Sequence, residues 1–250
     1  MSHRFDSKAT LITGGASGIG YTWDRRATAQ KLSSLGAELA LCDISAKGLE
    51  ETNKLRGGGH FTSIVDVGST EEVNKFVGDV VAHFGKLDHV FNCAGVNPTS
   101  YDLETSSDEY WDKLVNTNLK GTFNVTRAAI PHLKSGCSFV NVSSILGLQA
   151  MAKMAIYCMT KSGIIGFSKS MALELGPRGI RTNIICPGYI NTPTNSGVVE
   201  GAEGIRKMEQ ATAVGRLGQP EEIADVVAFL FSEESRYMNG SVVEIDGGIA

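Results

Sequence analysis

The sequence is defined first by what it lacks. No apolar run is long enough to cross a bilayer. Residues 1–8 are polar and hold no apolar signal core. No basic stripe or polybasic patch stands out: the formal net charge is -4, and Lys and Arg are scattered. That argues against a nucleic-acid-binding or membrane-surface protein. The five cysteines (Cys42, Cys93, Cys137, Cys158 and Cys186) form no C-x-x-C pair, and most sit in apolar runs. Such cysteines suit reduced, buried thiols in a cytoplasmic protein. The five histidines (His3, His60, His83, His89 and His132) lack metal-ligand spacing, so no metal site is expected. Linkers, repeats and low-complexity segments are also missing.

Short apolar runs alternate with helical patterns along the whole chain. Strands are expected at 9–13, 38–43, 61–66, 87–93, 137–142, 180–186 and 242–245. Helices are expected at 27–35, 45–55, 69–84, 107–133, 155–175 and 221–231, several with recognisable ends. Ser69 and Ser107 are N-cap candidates, and Gly36, Gly85 and Gly176-Pro177 are stops. The stretch 187–204, rich in Gly, Pro, Asn and Thr, reads as a loop. Continuous apolar strands imply a sheet covered on both faces. The fold class is therefore α/β: a doubly wound parallel sheet of about seven strands in a three-layer sandwich. In such sheets ligands collect beyond the carboxyl ends of the strands.

The residues at those ends carry chemistry. Thr13-Gly14-Gly15-Ala16-Ser17-Gly18-Ile19-Gly20 follows the first strand and precedes a helix. Glycines let the backbone approach a phosphate, and N–H groups at a helix start face the anion. By itself the pattern also fits an ordinary glycine-rich turn. Asp43 ends the second strand, where a carboxylate accepts hydrogen bonds from ribose hydroxyls and repels a 2′-phosphate. No Lys or Arg lies within 14–20, so NAD is preferred over NADP. Asp66, at the end of the third strand, is a candidate for the adenine amino group. Either aspartate equally fits a cap or turn.

Tyr157 and Lys161 lie four apart on an expected helix, so both point to one face. A phenol is a poor proton donor or acceptor at neutral pH, and a nearby ammonium stabilises its anion. The pair is then a workable acid/base, or else a surface tyrosine beside a solvated lysine. Ser144, thirteen residues before Tyr157, can polarise a carbonyl or cap a helix. Asn118 sits mid-helix, where asparagine is mildly unfavourable and can bend the helix and bind water, or simply face solvent.

Together with Asn92-Cys93-Ala94-Gly95, Asn116-Thr117-Asn118-Leu119, Asn141-Val142-Ser143-Ser144, Tyr157-Cys158-Met159-Thr160-Lys161 and Pro187-Gly188, the order and spacing of these pieces closely resemble the short-chain dehydrogenase/reductase family. The resemblance runs from about Ala9 to Gly248 and implies a single Rossmann-fold domain over 1–250, with a substrate loop at about 187–212. It implies a catalytic tetrad of Asn118, Ser144, Tyr157 and Lys161. Tyr157 would be the acid/base, Lys161 would hold the nicotinamide ribose, and Asn118 would support a water-linked proton relay. Cofactor contacts are implied for Gly14, Ser17, Gly18, Ile19, Gly20, Asp43, Asp66, Asn92, Ala94, Gly95, Tyr157, Lys161, Pro187, Gly188, Ile190 and Thr192. The family's usual homotetramer, or a homodimer, would pack the helices near 107–133 and 155–175 between subunits, with Gly163 and Gly166 either allowing close approach or packing the core.

Two departures stand out. Cys93 replaces the usual asparagine or alanine. Between Gly20 and Asp43 the chain carries about five residues more than family spacing implies, near 21–26. The surplus either displaces the helix start, loops out with Arg25 or Arg26 toward phosphate, or is a gene-model artefact. The leading expectation is an NAD(P)-dependent oxidoreductase interconverting a medium-sized, fairly apolar secondary alcohol and ketone. A non-catalytic dinucleotide-binding scaffold is one alternative. An epimerase or dehydratase that recycles its cofactor is another.

Overall fold

The computed structural model describes residues 5–16, 26–54, 59–96, 99–191 and 201–249. Its sheet has seven strands: β1 Ala9–Thr13, β2 Glu38–Asp43, β3 Phe61–Ile64, β4 His89–Asn92, β5 Ser138–Val142, β6 Arg181–Pro187 and β7 Val242–Ile245. The spatial order is β3-β2-β1-β4-β5-β6-β7, and every pairing is parallel. The chain runs outward from β1 to β3, then returns to place β4 on the other side of β1. That reversal opens a crevice above the carboxyl ends of β1 and β4.

Strand periodicity explains the layers. Leu11 and Ile12 are neighbours in sequence and enter different cores. Ile12, Leu41, Phe91, Val140 and Ile185 pack against Leu32 of α1 (Arg26–Ser34) and Ile223, Val227 and Leu230 of α8 (Pro220–Phe231). On the opposite face Leu11, Cys42, Val90 and Phe139 meet Phe76 and Val80 of α3 (Thr70–Phe84) and Val125 of α5 (Gly121–Ala129). Burial on both faces is what the continuous apolar strands required.

Helix ends follow local chemistry. The Ser69 hydroxyl accepts from Glu72 N–H to start α3, and Gly85, at φ 71°, closes it. Ser107 does the same for Tyr110 N–H at the start of α4, Asp108–Leu114. The remaining helices are α2 (Ala46–Lys54), α6 (Ala155–Leu175) and α7 (Gly201–Gln210).

Three features differ from the sequence expectation. The single helix at 107–133 is interrupted: α4 widens into a π-helical stretch, Val115–Lys120, before α5, and a 3-10 turn at Ile130–His132 follows. β3 ends at Ile64, so Asp66 lies two residues beyond it. The region read as loop contains the start of α7, while 192–200 lies outside the described residues. Among the described residues no helix is long and apolar enough to cross a membrane.

Candidate active site and cofactor crevice

The crevice is built by strand ends holding one another. Gly14 leaves β1 with φ 69°, a left-handed turn that favours glycine. Gly15 N–H donates to the Cys42 carbonyl at 3.0 Å. A Cβ on Gly15 would lie 3.1 Å from Leu41 Cβ, so the loop is pressed against β2. Ala16 N–H donates to Asp43 Oδ2 at 3.1 Å, and the Thr52 hydroxyl donates to the Gly15 carbonyl at 2.9 Å. The first half of the glycine loop is thus anchored by β2 and α2. Its second half (Ser17, Gly18, Ile19 and Gly20) and the surplus through Arg25 lie outside the described residues. Arg26 opens α1 and pairs with Glu51 at 3.4 Å.

Asp43 is buried at the carboxyl end of β2. Its second oxygen accepts from Ser45 N–H at 3.0 Å. Asp43 therefore fills the turn-carboxylate role at the end of β2. Asp66 is exposed and accepts from Gly68 N–H at 2.8 Å, a tight turn ahead of the Ser69 cap.

Across the switch point, the Thr13 hydroxyl oxygen accepts from both Cys93 N–H and Ala94 N–H at 3.0 Å. This ties the end of β4 to the end of β1. Asn92 pairs across the ladder with Asn141, and its Nδ2 donates to Asn141 Oδ1 at 2.8 Å and Thr126 Oγ1 at 3.0 Å. Asn92 therefore fixes β4 against β5 from within the sheet. Gly95 closes the back of the crevice: a Cβ there would lie 3.2 Å from Asn118 Oδ1 and 3.7 Å from Lys161 Nζ.

Two of the four expected tetrad residues, Asn118 and Lys161, thus meet beside that glycine. Asn118 is fully buried in the π-helical stretch, and its Nδ2 contacts Thr160 Oγ1 at 3.3 Å. The Tyr157 and Lys161 side chains are both buried on α6, with Lys161 Nζ 5.6 Å from the centroid of the Tyr157 ring. Lys161 Nζ also donates to the Val142 carbonyl at 3.1 Å. Ser144 is half-buried at the end of β5, and its hydroxyl accepts from Leu146 N–H at 3.2 Å, capping a single turn, Ile145–Gly147. Leu146 packs with Tyr157, Ile156, Leu114, Val96 and Tyr110 in one apolar cluster.

On the far side, Pro187 ends β6 and Gly188 N–H donates to the Ile245 carbonyl at 3.0 Å. A Cβ on Gly188 would lie 2.7 Å from Asp246 Cα, so only glycine lets the strand end pass the C-terminal segment. Ile190 is buried and bridges Gly218; Thr192 lies outside the described residues.

Several contributors escaped sequence reasoning. Thr13, Thr52, Ser143 and Thr160 act through contacts between remote segments. The only local signals were a hydroxyl beside the glycine loop, a serine doublet, and a threonine inside Tyr-x-x-x-Lys. Among the described residues no cluster of three His, Cys, Asp or Glu side chains can hold a metal ion.

A family model described as enoyl-(acyl carrier protein) reductase matches residues 14–250. The human (3R)-3-hydroxyacyl-CoA dehydrogenase is 38% identical over 263 residues, covering 100% of this chain and 98% of that one. A 3-oxoacyl-(acyl-carrier-protein) reductase from Thermotoga maritima is 37% identical over 251 residues, covering 98% and 99%. Among solved structures, a short-chain dehydrogenase from Burkholderia cenocepacia in complex with NADP superposes with a TM-score of 0.88, at 30% identity and 98% coverage of each chain. The chain belongs to the short-chain dehydrogenase/reductase family. It is an NAD(P)-dependent oxidoreductase acting on CH–OH and C=O groups.

Proposed function

We propose that the enzyme prefers NAD(H) and interconverts a medium-sized, fairly apolar secondary alcohol and its ketone, with Tyr157 as acid/base. The observation that carries this reading is the buried Lys161 ammonium 5.6 Å from the Tyr157 ring centre, backed by Asn118 and Gly95. A positive charge held there stabilises the phenolate and brings the tyrosine toward working pH.

The crevice residues fit a dinucleotide. Gly14 turns with a φ of 69°, Gly95 lets the backbone pass close to Asn118 and Lys161, and Asp43 places a carboxylate at the end of β2. When bound, the cofactor supplies a nicotinamide carbon that gives or takes hydride. Gly14, Ser17, Gly18, Ile19 and Gly20 would face its phosphates. Asp43 would accept from the ribose and disfavour a 2′-phosphate, and Asp66 would face the adenine. Asn92, Ala94, Gly95, Pro187, Gly188, Ile190 and Thr192 would frame the rest. Lys161 would hold the nicotinamide ribose, and Ser144 would donate to the substrate oxygen. Tyr157 would exchange a proton with that oxygen, and Asn118 would support the water-linked relay that replenishes it.

Val96, Leu146 and Tyr110, packed around Tyr157, support an apolar substrate wall. The stretch at about 187–212 is proposed as the substrate loop of one domain spanning 1–250. Two relatives are named for acyl chains carried as thioesters, so 3-oxoacyl thioesters belong in the substrate panel. The subunit is proposed to form a homotetramer or homodimer through α5 and α6. Val115, Leu119, Phe123, Ile164 and Phe167 line an apolar groove there, and a Cβ on Gly166 would meet nothing within 4 Å. Gly163, exposed on the same helix, lies beside Leu119, where a Cβ would lie 2.9 Å from Cδ2. Buried cysteines (all but the half-buried Cys158) support a cytoplasmic location.

The test follows NADH consumption against a panel of cyclic ketones and 3-oxoacyl thioesters, with wild type and Tyr157→Phe. Turnover by wild type and a loss of about 10²–10⁴-fold in the variant are expected. Equal rates in the two proteins would overturn the role of Tyr157.

A further inference from the structure

The serine doublet at the end of β5 divides its labour. Ser144 sits half-exposed at the crevice, while Ser143 is buried. The Ser143 hydroxyl donates to the main-chain carbonyl of Lys161 at 2.8 Å. The Lys161 ammonium, at the other end of the same residue, donates to the carbonyl of Val142 at 3.1 Å. Consecutive residues of one strand end therefore hold both ends of one lysine. Ser143 is itself fixed, because its N–H donates to the Ile185 carbonyl of β6 at 2.8 Å.

The contact depends on a missing side chain. A Cβ on Gly147 would collide with the Ser143 hydroxyl and lie 3.0 Å from the Lys161 carbonyl carbon and oxygen. Glycine at 147 thus leaves the space in which Ser143 reaches α6. Nearby, the Ser162 hydroxyl donates to the Gly147 carbonyl at 2.8 Å. That bond joins the same turn to the same helix without touching the lysine carbonyl.

We infer that Ser143 is a positioning residue that sets the acidity of Tyr157 by fixing α6 at Lys161 against the end of β5, where the neighbouring Val142 carbonyl holds the ammonium. The inference rests on the acid/base reading of Tyr157 and Lys161 above. A lysine side chain has four rotatable bonds and loses most of its freedom only when both its root and its tip are restrained. The attraction between an ammonium and a phenolate falls with their separation and with access of water. Without the Ser143 bond α6 can shift against the end of β5, and the ammonium, tethered to the Val142 carbonyl, then moves away from the phenolate and its hold weakens.

Two ionisable groups near this pair among the described residues are Tyr110 and Cys186. Tyr110 on α4 shares the apolar cluster with Tyr157 and is held above the usual phenol range mainly by burial. Cys186 on β6 lies against Ser143 and the backbone of Ser144. Burial pushes it up to about 11, and the Glu244 carboxylate on β7 adds to the rise. Neither is charged at neutral pH, so neither substitutes for the lysine.

The test is a spectrophotometric titration of tyrosinate in the purified full-length protein, with the Tyr157→Phe curve subtracted to isolate Tyr157. It is run on wild type, Ser143→Ala and Ser162→Ala, and it needs no substrate. The Tyr157 titration should move up by about 0.5–1 pH unit in Ser143→Ala and stay in place in Ser162→Ala. Ser143→Cys, whose thiol is a weak donor, should fall between and serves if the alanine variant does not fold. The alkaline shift should reappear in the pH profile of kcat/KM for alcohol oxidation. An unmoved titration in Ser143→Ala, or an equal shift in Ser162→Ala, would overturn the inference. Failure of the carbonyl panel would instead overturn the redox reading, because the titration is scored without turnover.

Discussion

Asn118 hydrogen-bonds both ends of one residue: its Oδ1 accepts from Val96 N–H at 2.8 Å, and its Nδ2 donates to the Val96 carbonyl at 3.2 Å. A side chain in the middle of a helix thus serves as a strand partner for the segment leaving β4. The π-helical stretch makes this reach available, because its wider turn displaces residues 115–120 from regular α-helical register. Replacing the amide by an apolar side chain of similar volume removes the partner of two half-buried backbone groups of Val96. Asn118→Leu should lower stability by about 2–4 kcal/mol, read from urea unfolding. It should also lower kcat/KM by at least about tenfold, because Val96 forms part of the wall around Tyr157. A variant as stable and active as wild type would contradict both roles.

Asp43 separates two tasks that one substitution can resolve. Its charge would exclude a 2′-phosphate, while its oxygens already accept from Ala16 and Ser45 N–H. Asp43→Asn removes the charge and keeps an acceptor oxygen. Relative affinity should swing toward NADP(H) by about tenfold, or ~1.4 kcal/mol, with stability lowered because one N–H loses its anionic acceptor. Fluorescence titration of both reduced cofactors measures the swing. An unchanged ratio would mean that discrimination lies in the loop beyond Ala16.

Much of this architecture was legible because it is local. The α6 boundaries follow from Gly176-Pro177, which cannot continue the helix, and the α3 ends follow from Ser69 and Gly85. Continuous apolar strands announced a sheet buried on both faces. The π-helical stretch was illegible, because a one-residue shift in backbone pairing barely alters side-chain periodicity; the oddly placed Asn118 was its only trace. Helix α7 was hidden for another reason. It has no fully buried residue, and its glycines at 201 and 204 read as loop. At the site, type, spacing and the family resemblance singled out Tyr157, Lys161, Ser144 and Asn118, the residues to which the proposed function gives roles. Ser143 and Thr160 were not singled out, since their roles depend on which atoms α6 presents to β5 and to the π-helical stretch. Such contacts exist only after the sheet has formed.

The groove on α5 and α6 gives a prediction about assembly. Phe123 is 42% exposed there, and the Arg127 guanidinium lies 4.6 Å from its ring centre. In an oligomer joined through this face, Phe123→Glu would bury a carboxylate in an apolar contact, at a cost of several kcal/mol per interface. In the isolated subunit the same carboxylate stays in water beside Arg127. Sedimentation should therefore show wild type as a dimer or tetramer and the variant as a folded monomer. A monomeric wild type would remove this face from consideration as an interface.

His89 supplies the pH dependence. It lies on β4 with its ring stacked on Phe231 at 4.8 Å, edge-on to Phe5 at 5.8 Å, and Nδ1 2.9 Å from Ser138 Oγ. Burial pushes the imidazole down to about 3, against a smaller upward pull from Asp88. An unfolded histidine titrates near ~6.5. Between those values the unfolded chain binds a proton that the native state refuses, so stability rises with pH across this window. The contribution is complete above about pH 6.5 and is lost on acidification toward pH 3, at about 1.4 kcal/mol per unit. His89→Asn keeps a polar partner for Ser138 and cannot titrate. Urea unfolding at pH 6.5 and pH 5 should show wild type losing about 2 kcal/mol more than the variant. The variant should be the less stable of the two at pH 7, because it forfeits the ring stacking, and the gap should narrow on acidification. Parallel losses in the two proteins would mean that His89 takes up its proton without unfolding the chain.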